Sequence, residues 1–95
     1  VESIAELHAR TRADLGDAEV LINNAMTKTE NIFAPFPEFP LAEWNEVMSV
    51  NLTGAVLACQ KFGADMARRG RGSIINTLSI YGVVAPDQRI YEGSE

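Results

Sequence analysis

Cysteine and histidine each occur once in the 95 residues. Cys59 therefore has no partner for an internal disulfide, and no cluster of thiolate and imidazole ligands can form within the chain. His8 instead falls on an apolar helical stripe, so no metal site is expected. Long hydrophobic runs are missing too. No stretch approaches the roughly 20 residues needed to cross a bilayer, and no signal peptide is read ahead of the first helical segment. A cytoplasmic protein away from membranes is the expectation. Basic residues are the scarcer charge, 8 against 13 acidic, and the net charge of -5 argues against a nucleic-acid surface. The one basic cluster, Arg68-Arg69-Gly70-Arg71, sits where a helix should end and complements its dipole there. Repeats and low-complexity runs are absent. With 46% hydrophobic and 22% charged residues, the composition is that of one small globular domain.

What is present is organised around Val20-Leu21-Ile22-Asn23-Asn24-Ala25. Consecutive branched aliphatic residues without polar alternation predict a strand covered on both faces in a parallel sheet. Two carboxamides follow at its C-terminal end, where open α/β sheets place their ligands. Adjacent amides are costly to bury unless their donors and acceptors are met. They are therefore expected to pin neighbouring backbone, to line a crevice, or both.

Upstream, Ser3-Ile4-Ala5-Glu6 matches a capping box, and Ile4, Leu7, Thr11 and Leu15 recur at helical spacing before Gly16. An amphipathic helix over 3–15 follows. Residues 26–40 interleave Pro35, Pro37 and Pro40 with Phe33, Phe36 and Phe39. That density of proline forbids helix and ladder, and the aromatics predict a packed loop, either covering a site or folded over the sheet edge. From Leu41 to Arg69 a long helix is expected. Trp44, Met48, Asn51, Ala55, Cys59, Phe62 and Met66 keep one stripe on one side, apolar except at Asn51. Small residues at Gly54, Ala55, Ala58, Gly63 and Ala64 predict close approach of another element, a sheet or a second subunit. Gly70-Arg71-Gly72 ends the helix, and Ser73 to Leu78 reads as a second strand with Ser79 directly after it. Strand, helix, strand in this order makes a right-handed crossover with parallel strands. Asn24 and Ser79 should thus emerge at one edge of the sheet.

These stretches together resemble the short-chain dehydrogenase/reductase family. Leu21-Ile22-Asn23-Asn24-Ala25 is similar to its Asn-Asn-Ala-Gly motif, Val50-Asn51-Leu52-Thr53-Gly54 to the long helix with its active-site asparagine, and Gly72 through Ser79 to the strand ending in its catalytic serine. The resemblance covers essentially the whole chain. It implies part of a Rossmann-type doubly wound parallel α/β sheet over residues 1–95, and an oxidoreductase using NAD or NADP on an alcohol or ketone. It also implies roles. Ser79 and Asn51 would be catalytic, Ser79 bonding the substrate oxygen and Asn51 holding a relay water. Asn23, Asn24, Ala25, Met26 and Thr77 would lie along the cofactor, and Ile80 and Tyr81 would touch substrate with Ser79. In the parent protein, helix 41–69 would pair subunits of a homo-oligomer.

Departures accompany the likeness. Met26 stands where the family usually has glycine, which predicts a backbone without positive φ and added bulk beside the cofactor. Leu78 replaces the first of a frequent serine pair. No Gly-x-x-x-Gly-x-Gly turn occurs among the glycines. Tyr91 is followed four residues later by Glu95, where the family's Tyr-x-x-x-Lys pair has lysine. A carboxylate there would raise the phenol pKa when the chemistry needs a cation to lower it, so Tyr91 is read as a decoy. The chain begins at Val1 and stops at Glu95 in a polar loop, which predicts a piece of something longer. Without the proton donor and the pyrophosphate turn it is expected to lack turnover of its own, and two parallel strands short of most neighbours are expected to expose much apolar surface. The alternative is a non-enzymatic interaction module using helix 41–69 as its pairing surface.

Overall fold

A computed structural model of the chain describes residues 2–91 and Gly93, except for the side chains of Gln88 and Tyr91. The comparison of Tyr91 with Glu95 therefore lies outside the described residues. Helix α1 spans Glu2–Leu15, strand β1 Val20–Asn23, helix α2 Leu41–Met48, helix α3 Gly54–Arg69 and strand β2 Ser73–Asn76. A π-helical turn, Ser49–Thr53, joins α2 to α3, so the long helix runs on but with one widened turn centred on Asn51. The expected capping box is displaced. Helix α1 already includes Glu2, which puts Ser3 inside it rather than at its cap. Gly16 and Gly70 both adopt positive φ, 84° and 67°, as residues that stop a helix in the left-handed region do. At Gly70 the Arg71 amide reaches back to the Met66 carbonyl at 3.1 Å and closes α3.

β1 and β2 pair in parallel, Val20 with Ser73 through Asn23 with Asn76, as a strand–helix–strand crossover requires. The ladder extends past both ends, through Ser73 N–H to the Glu19 carbonyl and Thr77 N–H to the Asn23 carbonyl, each 3.0 Å. One face of this sheet is covered only in part, and Ile74 on it stays 40% exposed. Leu21 is half-buried there, and Ile74 meets Gly63, where an added Cβ would stand 3.3 Å from Ile74 Cδ1. The close approach expected from the small residues is thus made by β2 at Gly63. The expectation of cover on both faces is corrected. Val20, Ile22 and Ile75 remain 51%, 61% and 49% exposed, because this chain supplies a helical layer on one side only.

The core is correspondingly small: Ala58, Phe62 and Met66 of α3, where α1 packs across it. Among the described residues, Asp65 is the one charged side chain that is buried. His8 Nε2 lies 2.6 Å from Asp65 Oδ2, and its ring stands edge-on to Phe62 with centroids 5.0 Å apart. Arg68 also pairs with Asp65, and Arg12 Nε lies 3.6 Å from its carboxylate. This cluster clasps α1 to α3. The basic residues at the end of α3 do more than complement a dipole. Arg69 donates to the Ala18 carbonyl at 2.6 Å, and Arg69 and Arg71 both meet Glu19, tying the helix end to the entrance of β1.

Candidate active-site cleft

Parallel pairing sets Asn23 beside Asn76 at the C-terminal end of both strands. The Asn23 amide donates to Asn76 Oδ1 at 2.8 Å, and Cys59 Sγ lies 3.3 Å from the same nitrogen. Asn23 thus points at α3 and locks the two strand ends to each other and to the helix. Beyond it the backbone leaves the sheet, and among the described residues positive φ is confined to glycines, so Met26 has none. The chain then passes Asn51. Thr27 N–H donates to Asn51 Oδ1 at 2.7 Å, and Asn51 Nδ2 donates to the Thr27 carbonyl at 3.0 Å. The carboxamide replaces a missing strand neighbour for Thr27. This explains a polar group on an apolar helix face, and the widened turn is where the helix accommodates it.

The second strand ends at Asn76 rather than at the expected Leu78, so Ser79 lies in the segment three residues past its end. Its hydroxyl oxygen accepts from Tyr81 N–H at 3.1 Å and caps the short 3-10 turn Ile80–Gly82. The hydroxyl hydrogen and a second lone pair remain for another partner. Between these elements lies a cleft of about 810 Å³. Asn23, Asn24, Ala25, Met26, Asn51, Thr77 and Ser79 all line it, so every residue expected for catalysis or cofactor comes to one place. Ile80 and Tyr81, expected against substrate, are not part of the lining. Asn76 and Cys59 join it although the sequence reading did not single them out as site residues. The register of two strands ending in asparagine held the signal for Asn76. Thr27 gave none, because it contributes only backbone.

The proline- and phenylalanine-rich loop takes neither expected role cleanly. It folds on α2, with Phe33, Phe36 and Phe39 around a second groove of about 570 Å³ shared with Trp44, Val47 and Met48. It is held there by Glu43, which accepts from Asn31 N–H at 3.1 Å and from the Asn31 side chain. The Thr29 hydroxyl beside it and these Asn31 bonds hold the Glu43 carboxyl below its ordinary range. The Thr29 hydroxyl is buried and short of full hydrogen-bond geometry, so the Asn31 bonds are the firmer part of this effect.

The model for the family described as short chain dehydrogenase matches residues 1–94. The chain belongs to the short chain dehydrogenase family. It is 38% identical over 74 residues to 5-keto-D-gluconate 5-reductase of Escherichia coli K12, covering 78% of this chain and 28% of that protein. A gluconate 5-dehydrogenase from Burkholderia cenocepacia J2315, solved with NADP and tartrate, superposes with a TM-score of 0.77 at 30% identity over 87% of this chain and 31% of that one. An NAD+-bound xylitol dehydrogenase superposes at 0.81 with 28% identity, over 98% of this chain and 35% of its own. The chain therefore spans about a third of the length of these short chain dehydrogenase relatives. Its helix–strand–helix–strand order is part of their Rossmann-type α/β fold.

Proposed function

We propose that the chain is the central part of an oxidoreductase that moves hydride between a nicotinamide dinucleotide, NAD or NADP, and a small alcohol or ketone. One observation carries this reading: Asn23 to Met26, Asn51, Thr77 and Ser79 converge on a single cleft at the C-terminal ends of two parallel strands. The residues present fit the nicotinamide end of such a cofactor. Carboxamides and strand-end backbone form one side, and the apolar helix residues Leu52, Ala55 and Val56 form a wall suited to a flat ring. Asn23, Asn24, Ala25, Met26 and Thr77 would hold it. When bound, the cofactor supplies or accepts the hydride.

The chain's own groups then have defined tasks. The Tyr81 N–H bond fixes the Ser79 oxygen. A hydroxyl held this way donates to the substrate oxygen, and the bond strengthens as that oxygen gains negative charge. Asn51 holds the 27-backbone against the cleft. It keeps one N–H and one lone pair beyond the Thr27 bonds, and these are what a relay water would meet. The sequence contains neither a Tyr-x-x-x-Lys pair nor a glycine-rich pyrophosphate turn. The 95 residues alone are therefore proposed to lack turnover.

The test compares this chain with the product of the whole open reading frame in which it lies. The whole product should bind NADH or NADPH and oxidise one of them with a member of a ketone panel. Ser79→Ala should lower its kcat/KM by about 10²–10³-fold, as loss of one transition-state donor does elsewhere. Failure of the whole product to bind any nicotinamide dinucleotide at millimolar concentration would overturn the oxidoreductase reading and favour the interaction module. Saturable oxidation by the 95-residue chain would overturn its proposed inactivity.

A further inference from the structure

Asn23, Asn76 and Cys59 form a triangle at the root of the cleft, and every partner in it belongs to this chain. The Asn23 side-chain nitrogen carries two hydrogens. Asn76 Oδ1 takes one at 2.8 Å, and Cys59 Sγ receives the other at 3.3 Å. Cys59 Sγ itself lies 3.9 Å from Asn76 Oδ1. The Asn23 carboxamide is thus held from two directions and cannot turn about one bond without breaking the other. Its main chain is held as well, because the Asn23 carbonyl accepts from Thr77 N–H at 3.0 Å. Asn76 and Thr77 lead through Leu78 to Ser79, and Asn23 leads into Asn24, Ala25 and Met26.

Two of these bonds join strand end to strand end, Asn23 to Asn76 and Asn23 to Thr77. The Cys59 bond instead refers that pair to α3, the helix that continues from the Asn51 turn. Gly63 against Ile74 is an apolar contact and carries no directional constraint. Arg69 ties α3 to the entrance of β1, at the opposite end from the cleft. At the cleft end, among the described residues, Cys59 is the α3 side chain with a hydrogen bond to the strands. Sulfur is a weak acceptor, so the bond contributes little to stability. It matters more to a reaction, where misplacing a group by about 1 Å can cost on the order of 10²-fold in rate.

We infer that Cys59 is a positioning residue: through the Asn23 amide it sets the Asn23–Met26 run and Ser79 at a fixed height against the Asn51 turn. The inference rests on the oxidoreductase reading above and adds a residue that acts on the reaction through another side chain.

The experiment uses the whole open-reading-frame product and the pair Cys59→Val and Cys59→Thr. These side chains share a shape and differ in whether an acceptor remains for Asn23. Cofactor-binding sites are counted by titration with NADH or NADPH, so that kcat refers to folded molecules only. Cys59→Thr should exceed Cys59→Val in kcat by at least about fivefold, because only the former keeps the Asn23 amide in place. The cofactor dissociation constants of the two variants should agree within about threefold, since the bond acts on the geometry of reaction rather than on uniform binding. If Cys59→Val gives no folded product, Cys59→Ala and Cys59→Ser replace the pair in the same comparison. A smaller ratio in kcat overturns this inference and leaves the oxidoreductase reading standing. So does a larger difference in cofactor affinity, which would make Cys59 a support of binding alone. A parent product that binds no nicotinamide dinucleotide overturns both.

Discussion

Replacing Asn51 with alanine tests the bond pair on which the cleft wall depends. The side chain meets both polar groups of one residue, the Thr27 N–H at 2.7 Å and the Thr27 carbonyl at 3.0 Å. Each net hydrogen bond contributes roughly 0.5–1.5 kcal/mol, and a donor left without a partner in a half-buried site adds to the loss. Thr27 is only partly shielded, so water offsets some of that penalty. The expected loss is about 1–3 kcal/mol, which corresponds to roughly 5- to 150-fold faster exchange of the Thr27 amide hydrogen. Asn51→Asp separates the two bonds. Its carboxylate still accepts from Thr27 N–H but faces the Thr27 carbonyl without a donor. Protonation restores that donor, so the folded-state pKa of the new side chain should rise above the unfolded value of about 3.9. The stability regained is then fully present below the unfolded pKa and lost as pH rises through the folded one. Amide exchange by NMR, residue by residue and as a function of pH, reads both effects. Unchanged Thr27 exchange in Asn51→Ala, or an Asn51→Asp variant without pH dependence, would refute the clamp.

Three other perturbations follow from the same geometry. Gly72 has φ 145°, and an added Cβ would stand 2.4 Å from Met66 Cγ, so Gly72→Ala should lose about 1–3 kcal/mol in urea denaturation. At the α1–α3 clasp, the Asp65 side chain is 9% exposed and that of His8 17%, whereas Arg12 and Arg68 are 50% and 68% exposed and largely solvated. Asp65→Ala should therefore lose about 1–3 kcal/mol, mostly through the His8 bond, while Asp65→Asn, which keeps an acceptor, should lose less than half as much. Equal losses by urea denaturation would mean that charge rather than the His8 bond holds the clasp. The Glu43 carboxyl, lowered from an ordinary 4.5 by Thr29 and Asn31, should contribute stability that is present above 4.5 and lost as pH falls through its lower folded value. A carbon-13 titration of Glu43 in the folded chain checks the direction, and Glu43→Gln should abolish that part of the acid dependence.

The sequence by itself determined what local chemistry dictates. An aliphatic run with terminal amides made a strand, and glycines at 16 and 70 stopped helices where side chains would resist positive φ. The strand–helix–strand order imposed parallel pairing, and that alone sent Asn24 and Ser79 to one edge of the sheet. Three short motifs in order then carried the family. Tertiary structure decided whatever depends on partners far away in the chain. Asn51 was visible as an anomaly, but its partner is the backbone of Thr27, which no side-chain pattern can announce. Nothing in the helical pattern sets Asp65 apart; packing brings His8 to it across 57 positions of sequence. The aliphatic strands carried a preference for cover on both faces, yet whether cover arrives depends on how many layers the chain supplies. Periodicity reports which face of an element avoids water. Only the assembled fold fixes which group meets it there, because that contact is set by the relative placement of whole elements rather than by either residue's own preference.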